Sequence, residues 1–528
     1  MDHKTDSPPS PGCNYVWQAL KLFAAYGTAE ALLYGERRLT YADLAAVTRG
    51  LVAALREHGV RPGGTVAVLT GNAPESLALQ LALHLLGCRT VWIALAPRAH
   101  QADFVRQSEA DTFVYHVPTH AEAGEDLAAL LGPLRVRCLG AGGSGPDLLA
   151  PRAPVTATDL AGLTAEVTTE PASLYQTSGT TGRPKLVHHG HRLFSALPSL
   201  AEQWLGRGPL PTRHLSMPRF SHVSSQTASL MVLFMGGRVV LSEPVDAAEF
   251  LRLVTRERIN STVVTPPVLY ELLDLLAEVD ADTSSMQMLS CGGSAAAPAR
   301  LAEAIDRLGP VVRLVYGMSE VPVITELCRL DHDPDHPERL QSCGRPFGEV
   351  RIEVRDGDGR AVPRGVVGEV WVSSVMVMEG YWGRPDLTGA AVVDGWLRTR
   401  DLGRLDEDGY LYLVDRTDGV ILTGRGSANI YSRPIEDVLI GHPQVRAAAV
   451  IKVPDDAVGE APYAFVVRTP GGTVTAGELR DLVIDHLDVM WAPRGVEFVE
   501  SLPLVGFGKV DKRALRERFV AAQAVAGP

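Results

Sequence analysis

Tyr175-Gln176-Thr177-Ser178-Gly179-Thr180-Thr181-Gly182-Arg183-Pro184-Lys185 gathers four serine and threonine hydroxyls, two glycines and a lysine into one short stretch. Ala172-Ser173-Leu174-Tyr175 leads into it and Leu186-Val187-His188 leads out. Glycines let backbone N–H groups turn toward an anion, hydroxyls add donors, and Lys185 adds a mobile positive charge. That is the chemistry of a phosphate cradle. It is not a Walker loop, because Lys185 follows a proline and no Gly-Lys-Ser/Thr opens a helix. The same composition also describes an ordinary surface loop.

Outward from this stretch the chain reads as alternating helix and strand. Thr40 is placed to cap an amphipathic helix running through Leu51-Val52-Ala53-Ala54-Leu55. Residues 65–69 read as a buried strand, 75–86 as a helix ending at Gly87, and 90–94 as another strand. Such alternation implies a parallel α/β sheet. Residues 140–154, rich in glycine and proline, read as a surface excursion. Beyond the loop, Leu215-Ser216-Met217-Pro218-Arg219-Phe220-Ser221-His222-Val223 reads as a strand ending at His222, a position where a histidine is more often structural than catalytic. Residues 261–267 read as strand and turn before a helix over 268–276. Met288-Leu289-Ser290-Cys291-Gly292-Gly293-Ser294 reads as a strand entering a glycine turn where a flat ligand approaches backbone. Residues 342–346 and 368–372 read together as a small β-rich subdomain. Two strands are expected between Val445 and Val467.

Composition narrows the function. A chain of 528 residues needs two or more domains, and 46% hydrophobic with 21% charged residues is a globular balance. The 62 acidic against 50 basic residues give a formal charge of −12, which disfavours a general nucleic-acid or anionic-membrane surface. An anion site in such a chain must be locally positive. Six scattered cysteines without metal-ligand pairing read as reduced thiols of a cytoplasmic protein. Residues 1–14 are expected to be a disordered tail without a signal-peptide core. No apolar run reaches the ~20 residues of a membrane span.

Two later runs carry chemistry. Leu314-Val315-Tyr316-Gly317-Met318-Ser319-Glu320 offers an aromatic face for a base, a hydroxyl for phosphate and a carboxylate for Mg²⁺, which prefers oxygen ligands. It also reads as a strand ending in a turn with an exposed glutamate. Leu502-Pro503-Leu504-Val505-Gly506-Phe507-Gly508-Lys509 delivers a lysine on a glycine-bearing loop. Taken with the opening stretch, these runs and their order resemble the adenylate-forming superfamily: acyl- and aryl-CoA ligases, peptide-synthetase adenylation domains and luciferases. The resemblance spans residues 39–515.

That resemblance implies an α/β fold, with a large N-terminal domain of stacked α/β sheets and a β-subdomain over residues 15–417. It implies a small mobile α+β lid over residues 418–528, pivoting at Asp418. In the family's pattern, Thr177, Ser178, Gly179, Thr180, Thr181, Gly182 and Lys185 cradle the ATP phosphates. Gly293, Ser294, Tyr316, Gly317, Met318 and Ser319 line the nucleotide site. Asp401 holds the ribose, Leu413 lies against adenine and Arg416 reaches ribose and phosphates. Glu320 and Thr180 hold Mg²⁺. Lys509 is the catalytic lysine, with His222 and Glu320 completing the catalytic set. His222, Val223, Ser224, Gly292, Val315, Met318 and Val323 border the acid pocket, where Val315 replaces a common glycine. Amino-acid-activating members carry an aspartate here for the substrate ammonium, and no acidic residue lies between Met217 and Arg238, so the resemblance implies an aryl or acyl acid rather than an α-amino acid. The thiol would be CoA or the phosphopantetheine of an acyl carrier protein.

Departures from the family pattern cluster near the lid. Arg400 and Asp415 replace glycines, Gly419 replaces an acidic residue, Leu186 replaces a glycine, and Ala428 stands where CoA ligases carry glutamate. They leave open a relative with another acid or acceptor, such as ATP- and nitrite-dependent diazotisation of an aminoaryl acid. A nucleotide-binding sensor without turnover is the reading from another class.

Overall fold

The structure, a computed structural model, describes residues 14–177, 185–205, 212–417, 419–423, 428–455, 459–505 and 509–526. Ser178, Gly179, Thr180, Thr181, Gly182 and Asp418 lie outside these, as does the expected tail up to residue 13. Asn14, assigned to that tail from sequence, instead caps the helix Tyr15–Tyr26, its side chain accepting from the Val16 N–H at 2.9 Å.

Among the described residues, two large sheets dominate. Seven strands run in the order Gly380–Tyr381, Lys185–His189, Ala172–Thr177, Arg89–Trp92, Thr65–Leu69, Thr112–His116 and Arg135–Leu139, with the last five parallel. A nine-stranded sheet has a parallel centre that includes Arg213–Ser216, Ser261–Val264, Met288–Gly292 and Val312–Met318. The expected parallel α/β architecture is present, and antiparallel strands close its edges.

The helix Pro74–Leu85 is buried at every position. A helix buried on every face lies inside a large core, and its polar residues there need partners. His84 survives there because Tyr15 Oη and Ser173 Oγ face its two ring nitrogens at 2.7 and 3.0 Å. Burial lowers its pKa to about 3. Helix Tyr41–Glu57 starts at a capping box in which Thr40 and Asp43 satisfy each other's backbone N–H groups, worth about 1 kcal/mol. Leu44, Leu51 and Leu55 form its buried face.

A five-stranded antiparallel sheet built on Gly368–Ser373 and Trp396–Leu405 forms the expected β-subdomain. Arg345–Pro346 belongs elsewhere, at the edge of the nine-stranded sheet beside Val321–Leu327. The reason is Gly344, which has φ +87° and would drive a Cβ into the Glu326 backbone. Only glycine lets the chain pass so close. A second correction concerns the strand expected to end at His222. It ends at Ser216, because Pro218 lacks the N–H a ladder needs. His222 is instead the residue preceding helix Val223–Phe234.

The small C-terminal part begins with Ile421–Thr423, five residues after the strand Leu411–Arg416 ends. Its hairpin Val445–Asp455 and Gly459–Arg468 packs against helix Ser432–Ile440 through Ile435, Leu439, Val450 and Val466.

Candidate active site

Thr177 and Lys185, the described residues on either side of 178–184, are register partners where Ala172–Thr177 pairs with Lys185–His189. Tyr175, two residues before, donates to Gln226 Oε1 at 2.6 Å, and Gln226 Nε2 donates to the Phe220 carbonyl at 2.6 Å. This buried relay ties the phosphate stretch to the segment carrying His222. Lys185 Nζ stands 4.7 Å from the Tyr381 ring centroid, and Tyr381 Oη donates to Glu320 Oε1 at 2.8 Å. Burial lowers the Lys185 pKa; Glu320 raises it, while Arg400, Arg384 and Arg416 lower it further. Glu320 is buried rather than the exposed turn residue its local sequence also allowed. His189 donates to the Ser319 carbonyl at 2.7 Å and holds this turn in place.

Asp401 and Arg416 are register partners on adjacent strands, with Arg416 Nη1 3.4 Å from Asp401 Oδ1. Tyr316 Oη donates to Asp401 Oδ2 at 2.6 Å. These groups border a cavity of about 350 Å³ that Gly293, Ser294, Gly317, Met318 and Leu413 also line. Gly317 is required there, because a Cβ would strike the Pro322 carbonyl of the returning strand. Lys509, from the C-terminal part, reaches the same cavity. Its side chain is open to the cleft, yet the protein mass around its ammonium lowers the pKa, against Asp401, with Arg416 lowering and Glu320 raising it in turn. The predicted lysine, ribose carboxylate and glutamate thus converge from three distant parts of the chain.

The residues expected to border the acid pocket are less closely gathered. His222 is depressed to about 4 by burial first, then by Arg219 and Lys509. Val223 and Ser224 open the helix that follows, Val323 is buried, and Gly292 lies against the Val315 carbonyl. Of this set, Val315 and Met318 line the 350 Å³ cavity, whereas His222, Val223, Ser224, Gly292 and Val323 do not. Arg219 is engaged by Glu243 at 3.5 Å.

Such a convergence of hydroxyl-rich hairpin, buried glutamate, carboxylate–arginine pair and incoming lysine belongs to adenylate-forming enzymes. Residues 21–382 match the AMP-binding enzyme family and residues 434–509 match the AMP-binding enzyme C-terminal domain; the chain belongs to this family. It is 35% identical to a medium/long-chain-fatty-acid–CoA ligase of Mycobacterium tuberculosis, covering 92% of this chain and 87% of that one. It is 33% identical to a feruloyl-CoA synthase of Amycolatopsis sp, covering 93% and 96%. Among solved structures, the amide bond synthetase McbA from Marinactinospora thermotolerans aligns with TM-score 0.86 and 35% identity, over 96% of this chain and 99% of that one.

Sequence reasoning missed Tyr381, which links Lys185 to Glu320, and the hydroxyl role of Tyr316 toward Asp401. The aromatic run Gly380-Tyr381-Trp382 was visible, but nothing local tied it to a loop some 200 residues earlier. Asp415 stood out in sequence only as a departure from the family pattern; its carboxylate accepts from Ser432 of the C-terminal part.

Proposed function

We propose that the protein activates an aryl or acyl carboxylic acid with ATP, releases pyrophosphate, and passes the acyl group to a thiol. The observation that carries this is the approach of Lys509 to the cavity bounded by Asp401, Arg416 and Tyr316. Asp401 would accept from both ribose hydroxyls, steadied by Tyr316 and Arg416. Thr177 and Lys185, with the intervening residues 178–184, would hold the β- and γ-phosphates. The acid, seated near His222 and Val315, attacks the α-phosphorus in line; one P–O bond forms as the bond to the β-phosphate breaks. Negative charge spreads over the α-phosphate oxygens, so a fixed cation there is the largest contribution available. Lys509 would supply it, bridging the incoming carboxylate and the α-phosphate.

Mg²⁺ is retained by one or two carboxylates plus substrate phosphates and water rather than by an all-protein cage. Glu320, a buried carboxylate with one oxygen engaged by Tyr381, suits that donor set. Among the described residues no cluster of three His, Cys, Asp or Glu forms a metal cage. When bound, the ion would neutralise phosphate charge; Glu320 would orient it and Tyr381 would orient Glu320. Thr180, the other expected ligand, lies outside the described residues. We place the pivot of the lid, residues 418–528, at Asp418, and propose a cytoplasmic enzyme using CoA or an acyl carrier protein. Among the described residues no helix is long and apolar enough to cross a membrane.

A second reading, transfer to an amine or other non-thiol acceptor, is supported by the 35% identity to an amide bond synthetase and by the altered residues Asp415 and Gly419. The test is product analysis by mass spectrometry with MgATP and a panel of acids, adding CoA, a phosphopantetheinylated carrier protein, or an amine. A thioester establishes the leading reading and an amide the second. Acid-dependent pyrophosphate release without either directs the next trial to nitrite with an aminoaryl acid. No release with any acid or nitrite refutes both and leaves a sensor.

A further inference from the structure

Arg400 occupies a backbone conformation that side chains seldom adopt, with φ +62°. Of the other non-glycine residues in this region, Glu109 and Arg258 follow helix ends and Asp394 precedes Gly395 in a turn. Arg400 lies within the strand Trp396–Leu405, where no cap or turn demands it. The strand bulges there. Glu369 pairs with Leu402 and Trp371 with Arg398, so two steps on one strand face four on the other. Bulges of this kind re-aim side chains beside active sites. Thr399 pins one flank through its hydroxyl to the Val370 carbonyl at 2.8 Å, and Thr417 N–H pins the Arg400 carbonyl at 2.8 Å. Glycine would fit without strain, so retaining a long cation needs a compensating use.

The charge around it indicates that use. Lys185 lies over the ring of Tyr381; Arg400 and Arg416 are near enough to act on both groups, and Arg384 acts on Lys185. Arg384 is neutralised by Asp386 at 2.7 Å and Arg416 by Asp401 at 3.4 Å. No described carboxylate lies within ion-pair distance of Arg400, whose side chain is exposed, although the chain has a twelve-charge acidic excess. Arg400 adjoins Asp401 in the strand and lies near enough to Lys185 and Tyr381 to act on their charges, which sets it between the ribose side and the phosphate lysine of the proposed ATP site. The planar fork of its guanidinium suits two phosphate oxygens at once.

We infer that Arg400 binds the β,γ-diphosphate of ATP and the leaving pyrophosphate, held in its strained conformation by the bulge. This rests on the reading of the cavity as an ATP site. The test is equilibrium binding of MgATP, magnesium pyrophosphate and AMP to the full-length wild type, Arg400→Gly, Arg400→Gln and Arg400→Lys, with Tm recorded for each. Arg400→Gly and Arg400→Gln should weaken ATP and pyrophosphate about tenfold and leave AMP within about twofold. Arg400→Lys should fall between. Arg400→Gly should show an equal or higher Tm, so that weaker binding is not misfolding. Equal loss of AMP affinity, unchanged ATP affinity, or no ATP binding by the wild type overturns the assignment. Tail-selective loss in a protein that turns over no acid upholds Arg400 and refutes the acid-activation reading instead.

Discussion

Asp415 Oδ2 accepts two hydrogen bonds from Ser432, one from its N–H at 2.6 Å and one from its hydroxyl at 2.9 Å. Asp415 ends the large part of the molecule, next to Arg416, and Ser432 opens the first helix of the small part. Its other oxygen accepts from the Arg416 N–H at 2.7 Å, so one carboxylate links Arg416 to the first helix of the C-terminal part. Lys512 extends the chain, donating to Ser432 Oγ at 2.8 Å while pairing with Glu436 at 2.8 Å. The arrangement holds the C-terminal part where Lys509 meets the cavity. By contrast Arg446–Asp274, also between the two parts, is solvent-exposed at 3.4 Å and contributes little.

Two departures from the family pattern explain each other. A Cβ at Gly419 would collide with Asp415 Oδ1, so the carboxylate at 415 occupies space that glycine at 419 leaves free. Asp415→Gly should slow acid-dependent pyrophosphate release about tenfold or more, from loss of hydrogen bonds to a charged group. Turnover of a preformed acyl-adenylate with its acceptor should change far less. Gly419→Asp alone should lower Tm, and the double variant should recover part of both losses. Additive effects, measured as a double-mutant cycle, would contradict the coupling.

Tyr381 is predicted to act on Glu320 rather than on substrate. Tyr381→Phe keeps the ring beside Lys185 and removes the hydroxyl bonded to Glu320. A lost hydrogen bond to a carboxylate is worth about 1.5–3 kcal/mol, so kcat should fall about 10- to 100-fold. The Mg²⁺ concentration for half-maximal rate should rise, with the KM for the acid unchanged. An unchanged Mg²⁺ dependence would contradict the role.

Stability should fall in mild acid. Burial depresses His84 to about 3 and His188, His189 and His214 to about 4. An unfolded imidazole takes a proton below about pH 6.5. Between that value and about 4 the unfolded chain therefore binds more protons, and stability declines as pH drops through the window. Each such histidine contributes a slope of up to about 1.4 kcal/mol per pH unit, and none above about pH 7. Urea midpoints from pH 4.5 to 7.5 measure it; His214→Gln should flatten the slope by about one proton.

Much of the site was legible because its residues sit in short, order-preserving runs. Asp401 and Arg416, fifteen residues apart in sequence, come together across one strand pair. Lys509 could be placed only by its surrounding glycines and proline, since local physics gives a lone lysine no partner. What escaped was set by packing between distant segments. Tyr381 meets Glu320 because its two-residue strand adds to the edge of Lys185–His189, a pairing without local periodicity. The strand expected through residue 222 stopped at Ser216 because one proline outweighed an apolar run. Helix Ala157–Thr164 was readable from the Thr156–Asp159 capping box but lay hidden beside the glycine-rich excursion.

Acid-dependent exchange of labelled pyrophosphate into ATP, compared between wild type and Lys509→Ala, is the sharpest test of acid activation at this site. It reads adenylation alone, whatever the acceptor. Exchange is expected with at least one aryl or acyl acid and none above background with α-amino acids. In the Lys509→Ala variant, exchange should drop at least about 100-fold with ATP binding retained. Exchange that survives the loss of Lys509, or depends on an α-amino acid, would contradict the proposed activity.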